Sequence, residues 1–256
     1  MISKTFFRIL YSLILFSSFS ISAKGHSEIT PYAFADDLSL VEFTVEEGVV
    51  EIGEYAFLGC RNLRKIILPS SLKRIGEGAF RECSSLVSLI IPEGVEVIPQ
   101  YMCAWDSSLR YVELPSSVTD IQRHAFAYCS SLKEITLPDR LTHIGSNAFS
   151  RCSSLKEIIV PDSVTELESY AFSDCVSLKK AKLPSNSSML GELLFTGCVN
   201  LGEIVCLSSL PPSFDCNSPL FDPSESHMYS RCRLILLPSS ANLFYSAPVW
   251  NNWKKP

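Results

Sequence analysis

No cysteine precedes Cys60, no Cys-x-x-Cys occurs anywhere, and the 256 residues contain no Gly-x-Ser-x-Gly, no phosphate-binding glycine loop and no His-Glu-x-x-His. The second absence excludes a zinc site built from ligands close in sequence. The others exclude the nucleophile elbow of a hydrolase, a mononucleotide cradle and a helical metalloprotease centre. Because the cysteines start so late, none stands near the N-terminus to carry a lipid. His26, His124, His143 and His227 are scattered, and they read as solvated surface residues. Excess charge is small: the formal net charge is -5. A mildly acidic chain is a poor partner for nucleic acid or an anionic membrane.

Long apolar runs are also scarce. The one at the start, Ile9 to Phe16, follows Lys4 and Arg8 and is succeeded by small residues up to Ala23, the layout of a secretory signal peptide over residues 1–23. It is too short and too broken by serine to serve as a membrane span, and no second apolar run of membrane length follows. The expectation is a leader, a protein outside the cytoplasm that is secreted or held at the cell surface, and no membrane insertion once the leader is removed.

What the chain has instead is a repeat. Phenylalanine returns every 23 residues at Phe34, Phe57 and Phe80 and, after a miss at Cys103, at Phe126, Phe149, Phe172 and Phe195. Three residues later runs a cysteine ladder, Cys60, Cys83, Cys129, Cys152, Cys175 and Cys198, broken only by Asp106. Leucines follow from Leu40 to Leu201 in the same register. Side chains can align over so many units only if each unit is one coil of equal length stacked on the next. The fold expected is a leucine-rich-repeat solenoid of right-handed coils, with parallel β-strands, short helical turns and about eight repeats. It would occupy residues 24–205, with a C-terminal capping segment over residues 206–256.

One unit shows the local logic. Leu132, Ile135 and Leu137, closed by Pro138, suit a short strand with inward apolar side chains. Leu141 and Ile144, followed by Gly145, imply a second strand and a turn. Ala148-Phe149-Ser-Arg-Cys152 then reads as a helical turn, with serines satisfying the backbone at the bend. In the tail, Cys232 to Pro238 reads as one more strand. Ser239 and Ser240 read as the cap of a short helix carrying Leu243, Phe244 and Tyr245, with Trp250 and Trp253 packed over the end.

The ten cysteines read as buried thiols rather than a disulfide framework, because ladder neighbours with parallel Cβ directions have the wrong torsion for a bridge. Cys206 with Cys232 is the one bridge left open.

The stretches LPSSLKRIGEGAFRECSSL at 68–86, LPSSVTDIQRHAFAYCSSL at 114–132 and VPDSVTELESYAFSDCVSL at 160–178 resemble the BspA-like leucine-rich repeats of bacterial and some protist surface proteins. The resemblance covers roughly residues 30–205. It implies a parallel β solenoid and adhesin-like binding of a protein, and it brings neither catalytic residues nor a cofactor.

Binding residues must then lie at outward positions. Ile67 and Ile90 stand side by side at one outward strand position, either as a patch that receives a protein or as ordinary strand formers. The irregular fourth coil, Tyr101 to Asp106, leaves a void at Cys103. If Met102 or Trp105 fills that void, Trp105 is buried; if Trp105 points outward, it aligns beside Tyr128 as a hot spot, with Arg110 and Tyr111 nearby. The partner expected is an extracellular protein. Exposed aromatics such as Trp105, Tyr111 and Tyr128 leave open a glycan, and a purely structural spacer is the third reading.

Overall fold

The computed structural model describes residues 27–187, 189–214 and 219–253; the expected leader at residues 1–23 lies outside them, as do His26 and Cys216. The chain winds into a parallel solenoid whose coils contribute strands to two faces. One face carries Glu42–Thr44, Lys65–Ile67, Ser88–Ile90 and Tyr111–Glu113, then Glu157–Ile159, Lys180–Lys182, Glu203–Cys206 and Arg233–Leu236. The other carries two-residue strands from Glu28–Ile29 to Ser213–Phe214, paired 23 residues apart through most of its length, as in His143↔Glu166. On the first face the middle residue points inward and its neighbours outward: Ile66 and Leu89 are buried while Ile67 and Ile90 are exposed.

The first face lapses at residues 134–136, which join no ladder, although this unit has the clearest strand pattern in the sequence. In the 23-residue register Glu134 and Glu157 are neighbours on adjacent coils, and facing like charges disfavour pairing there.

The Ala-Phe-x-x-Cys segments are not helical turns. In the second coil Ala56, Leu58 and Cys60 donate back to Gly53, Tyr55 and Phe57, whereas Tyr55, Phe57 and Gly59 donate across to Glu77, Ala79 and Arg81 of the next coil. A helix would direct every amide within its own segment; alternation ties each turn to its neighbour. The geometry demands left-handed backbone at two positions four residues apart. It is met at Tyr101 (φ 57°) and Trp105 (φ 68°), His124 (57°) and Tyr128 (65°), and Asn147 (57°) and Arg151 (61°).

Inside, the phenylalanines stack with centroids 5.0 Å apart for Phe34–Phe57, 5.6 Å for Phe57–Phe80 and 5.4 Å for Phe126–Phe149. The ladder cysteines are buried free thiols, and each donates to the carbonyl of the spine residue one coil back, as Cys83 does to Phe57 (3.2 Å) and Cys152 to Phe126 (3.2 Å). Burial pushes the Cys60 thiol up to about 12. Cys206 and Cys232 are also free, so the bridge between them is not formed.

The tail continues both faces by one coil before closing the end. Arg233–Leu236 pairs with Glu203–Cys206, and Ser213–Phe214 with Met189–Leu190. A helix over Ala241–Ser246 follows, but Ser240 does not cap it: its hydroxyl donates to the Ser208 carbonyl at 3.0 Å instead. Trp250 and Trp253 are buried and fixed by indole N–H donation to the carbonyls of Pro212 (2.8 Å) and Cys232 (2.9 Å).

His143 corrects the reading of the histidines as solvated. Its Nδ1 lies 2.7 Å from Asp120 Oδ1 and its Nε2 3.0 Å from Glu168 Oε1, joining three coils. The Asp120 hydrogen bond, helped by Glu168 and opposed by partial burial, raises its pKa from 6.5 to about 9. A raised pKa means that the folded state holds the proton more tightly. The stabilisation is therefore complete below the unfolded value near 6.5 and is lost as pH rises through about 9. Discounted for partial exposure, it is about 1–2 kcal/mol. Asp120→Asn should lower the melting temperature at pH 6 and leave it close to that of the parent at pH 10; an equal deficit at both would contradict the assignment. His124 is not simply solvated either, since its ring stacks on Tyr101 at 4.9 Å and burial lowers its pKa.

Candidate functional site

The left-handed turns put their side chains in a row on the outside of the solenoid. A non-glycine residue held there carries a steric cost, and this row spends it on order, because side chains one coil apart are close enough to stack. The Arg81 guanidinium lies 4.7 Å from the centroid of the Trp105 ring system, Trp105 stacks on Tyr128 at 5.0 Å and 15°, and Arg151 lies 5.0 Å over the far side of Tyr128. Asp174 ends the row, 3.2 Å from Arg151 Nε. Cation–π contacts of this kind contribute about 0.5–1 kcal/mol each where partly exposed. The result is a rigid run of guanidinium, indole, phenol and guanidinium.

Beside the row runs a second ladder of small hydroxyls. Ser130 donates to the Ser107 carbonyl (3.3 Å) and Ser153 to the Ser130 carbonyl (3.2 Å). Between the serines and the edges of Trp105, Tyr128 and Arg151 lies a shallow, open groove of about 520 Å³. It offers aromatic edges, hydroxyls and an Arg–Asp pair to whatever lies along it.

Trp105 is therefore outward and beside Tyr128, and it does not fill the space at Cys103. Met102, at the position held by alanine in neighbouring coils, is fully buried in the same core as Cys103. Arg110, Tyr111, Ile67 and Ile90 are not part of the groove. They belong to the strand face, where Tyr111 is 45%, Ile67 46% and Ile90 58% exposed. The Tyr111 hydroxyl donates to Glu113 Oε2 at 2.9 Å, which raises its pKa.

Two members of the row escape a reading of the sequence. Arg151 is in register with Tyr128 and could be found by following the 23-residue spacing outward. Arg81 lies 24 residues before Trp105, one position out of register, yet its guanidinium lies over the ring.

The description "BspA type Leucine rich repeat region" matches the chain in six copies, over residues 7–133 and 97–212. The crystal structure of a Treponema pallidum leucine-rich repeat protein is similar at 34% identity and TM-score 0.51, over 73% of this chain and 77% of that one. A leucine-rich repeat protein from Bacteroides ovatus is similar at 26% identity and TM-score 0.53, over 83% of this chain and 64% of that one. The pneumococcal vaccine antigen PcpA, at 19% identity and TM-score 0.50 over 82% of this chain and 71% of its own, shares the fold. No curated protein matches the chain. Among the described residues no helix is long and apolar enough to cross a membrane. With the 23-residue coil, the buried phenylalanine spine and these matches together, the chain belongs to the BspA-type leucine-rich repeat family.

Proposed function

We propose that this is a non-enzymatic, exported repeat protein that binds an extracellular protein, as adhesins do, along the groove beside Trp105, Tyr128 and Arg151. The observation that carries the reading is the stack itself. Tryptophan, tyrosine and arginine are the residues enriched at binding hot spots, and here they are held in one arrangement before any partner arrives, which lowers the entropy cost of binding. Leader-like residues 1–23 and the surface proteins of the resembled family support export.

A glycan is favoured less. Sugars are taken up on ring faces, and the faces of Trp105 and Tyr128 are occupied by Arg81, by each other and by Arg151. Tyr111, the third aromatic in that reading, stands on the strand face instead. The strand patch of Ile67 and Ile90 is a separate surface that the same experiment can score.

The experiment is binding of the purified protein to an extracellular-matrix protein panel and, in parallel, to a glycan array. Saturable binding to a protein is the expected result. Binding to sugars alone would give the chain to the carbohydrate reading, and no binding to either would leave it a spacer.

A further inference from the structure

One outward position, the residue just before each strand of the first face, carries charge of a single sign over four consecutive coils. There it is Arg110, Lys133, Lys156 and Lys179, all exposed. Packing does not ask for a cation, since Val41, Val87 and Gly202 hold the same position in other coils. The backbone keeps the row in line: the Lys156 amide donates to the Lys133 carbonyl (3.2 Å) and the Lys179 amide to the Lys156 carbonyl (2.8 Å). Neighbouring side chains therefore leave the chain one coil spacing apart, about 4.8 Å. Like charges facing each other at this spacing repel, and among the described residues none of the four forms an ion pair. One residue on, the strand positions mix signs and neutralise one another, with Lys180 lying 3.9 Å from Glu157 and 3.5 Å from Glu203. In the row itself the repulsion is left in place.

Two residues before each cation stands a serine. Ser108, Ser131, Ser154 and Ser177 are partly exposed, and none of their hydroxyls has a partner among the described residues. They are distinct from the serines of the groove, where Ser130 and Ser153 donate to carbonyls. Unpaired cations beside unpaired hydroxyls, repeated along a line, are complementary to a linear polymer that presents an anionic group and hydroxyls on every unit. A polysaccharide with one anionic group per sugar ring has that chemistry. An extended acidic peptide fits less well, because its side chains return to one face about every 6.6–6.8 Å, out of step with the coils, and it sets no hydroxyls opposite the serines.

We propose that Arg110, Lys133, Lys156 and Lys179 form a second binding site, which takes a linear anionic polysaccharide along the solenoid axis. The site is independent of the aromatic row and uses charge and hydroxyls rather than ring faces. The probe is a fluorescein-labelled heparin oligosaccharide, read by anisotropy with the purified protein at ~0.15 M salt. Saturable binding is expected, and ~0.5 M salt should weaken it. The double variant Lys133→Gln, Lys156→Gln should weaken binding by about tenfold and should melt no lower than the parent, since it removes a repulsion. The control double variant Lys65→Gln, Lys73→Gln removes equal charge elsewhere and should leave binding unchanged. Absence of saturable binding overturns the proposal. So does an equal loss in the two double variants, which would mean attraction to net charge alone. A polyglutamate peptide or a DNA duplex that binds as tightly as heparin at equal charge would overturn it in favour of an acidic protein or a nucleic acid.

Discussion

Replacing Asp106 with cysteine is expected to stabilise the protein by about 1–3 kcal/mol at pH 8, the usual penalty of a buried polar group left without a partner. Asp106 occupies the cysteine ladder, is fully buried, and has no hydrogen-bond partner for either carboxyl oxygen among the described residues. Burial drives its pKa well above the ordinary carboxylate value; the Cys83 amide and the Cys103 thiol are near enough to offset this in part but not at hydrogen-bonding geometry. Between an unfolded value near 3.9 and the higher folded one, the unfolded chain binds fewer protons than the folded chain. Stability therefore falls as pH rises through that window. A cysteine in its place would donate to the Phe80 carbonyl, as each ladder thiol does to the spine carbonyl one coil back. Melting of parent and Asp106→Cys at pH 5 and pH 8 checks this. The variant should gain more at pH 8 than at pH 5, and Asp106→Asn should remove the pH dependence. A gain that is the same at both values would contradict the account.

The second large effect is a pairwise one. Coil four carries Met102-Cys103 where neighbouring coils carry Ala-Phe, a nearly volume-conserving exchange across two fully buried positions. Met102→Ala alone should cost about 2–5 kcal/mol through the cavity it opens. Cys103→Phe alone should cost about 1–3 kcal/mol by overpacking against Met102. The double variant restores the sequence of the other coils, continues the ring stack between Phe80 and Phe126, and should be close to the parent. Denaturant midpoints of all four proteins give the coupling. Additive losses would mean that the two side chains do not share one space.

Most of the fold was legible because a solenoid forces side chains of one kind into alignment. Phe57, Cys60 and Leu63 recur at fixed spacing because each has an identical neighbour above and below. The extra strand at Arg233–Leu236 and the covering tryptophans follow from the same need to close an apolar end. The turns were not legible. Alanine, phenylalanine and cysteine at spacings of one and three look the same whether amides bond within a helix or alternate with the next coil, and only the second forces Tyr101 and Trp105 into left-handed backbone. The lapse at residues 134–136 was hidden for a related reason, since Leu132, Ile135 and Leu137 describe what points inward while pairing also depends on outward Glu134. Of the candidate site, the 23-residue separation of Trp105 and Tyr128 left two arrangements open, Trp105 inward at Cys103 or outward beside Tyr128, and the stack decides for the second. Arg81 was not visible, because side-chain reach rather than register brings it to the ring. His143 was misread because its partners Asp120 and Glu168 come from the coils before and after it.

The measurement that bears most directly on the proposed recognition site compares Trp105→Ala and Ile90→Glu against the parent, on whichever protein of the matrix panel the parent binds. Each variant is first shown to melt cooperatively. The account predicts that Trp105→Ala weakens binding by about tenfold or more, as expected for loss of a hot-spot residue, and that Ile90→Glu leaves it unchanged. Loss of binding in Ile90→Glu with full retention in Trp105→Ala would contradict it and move the site to the strand face.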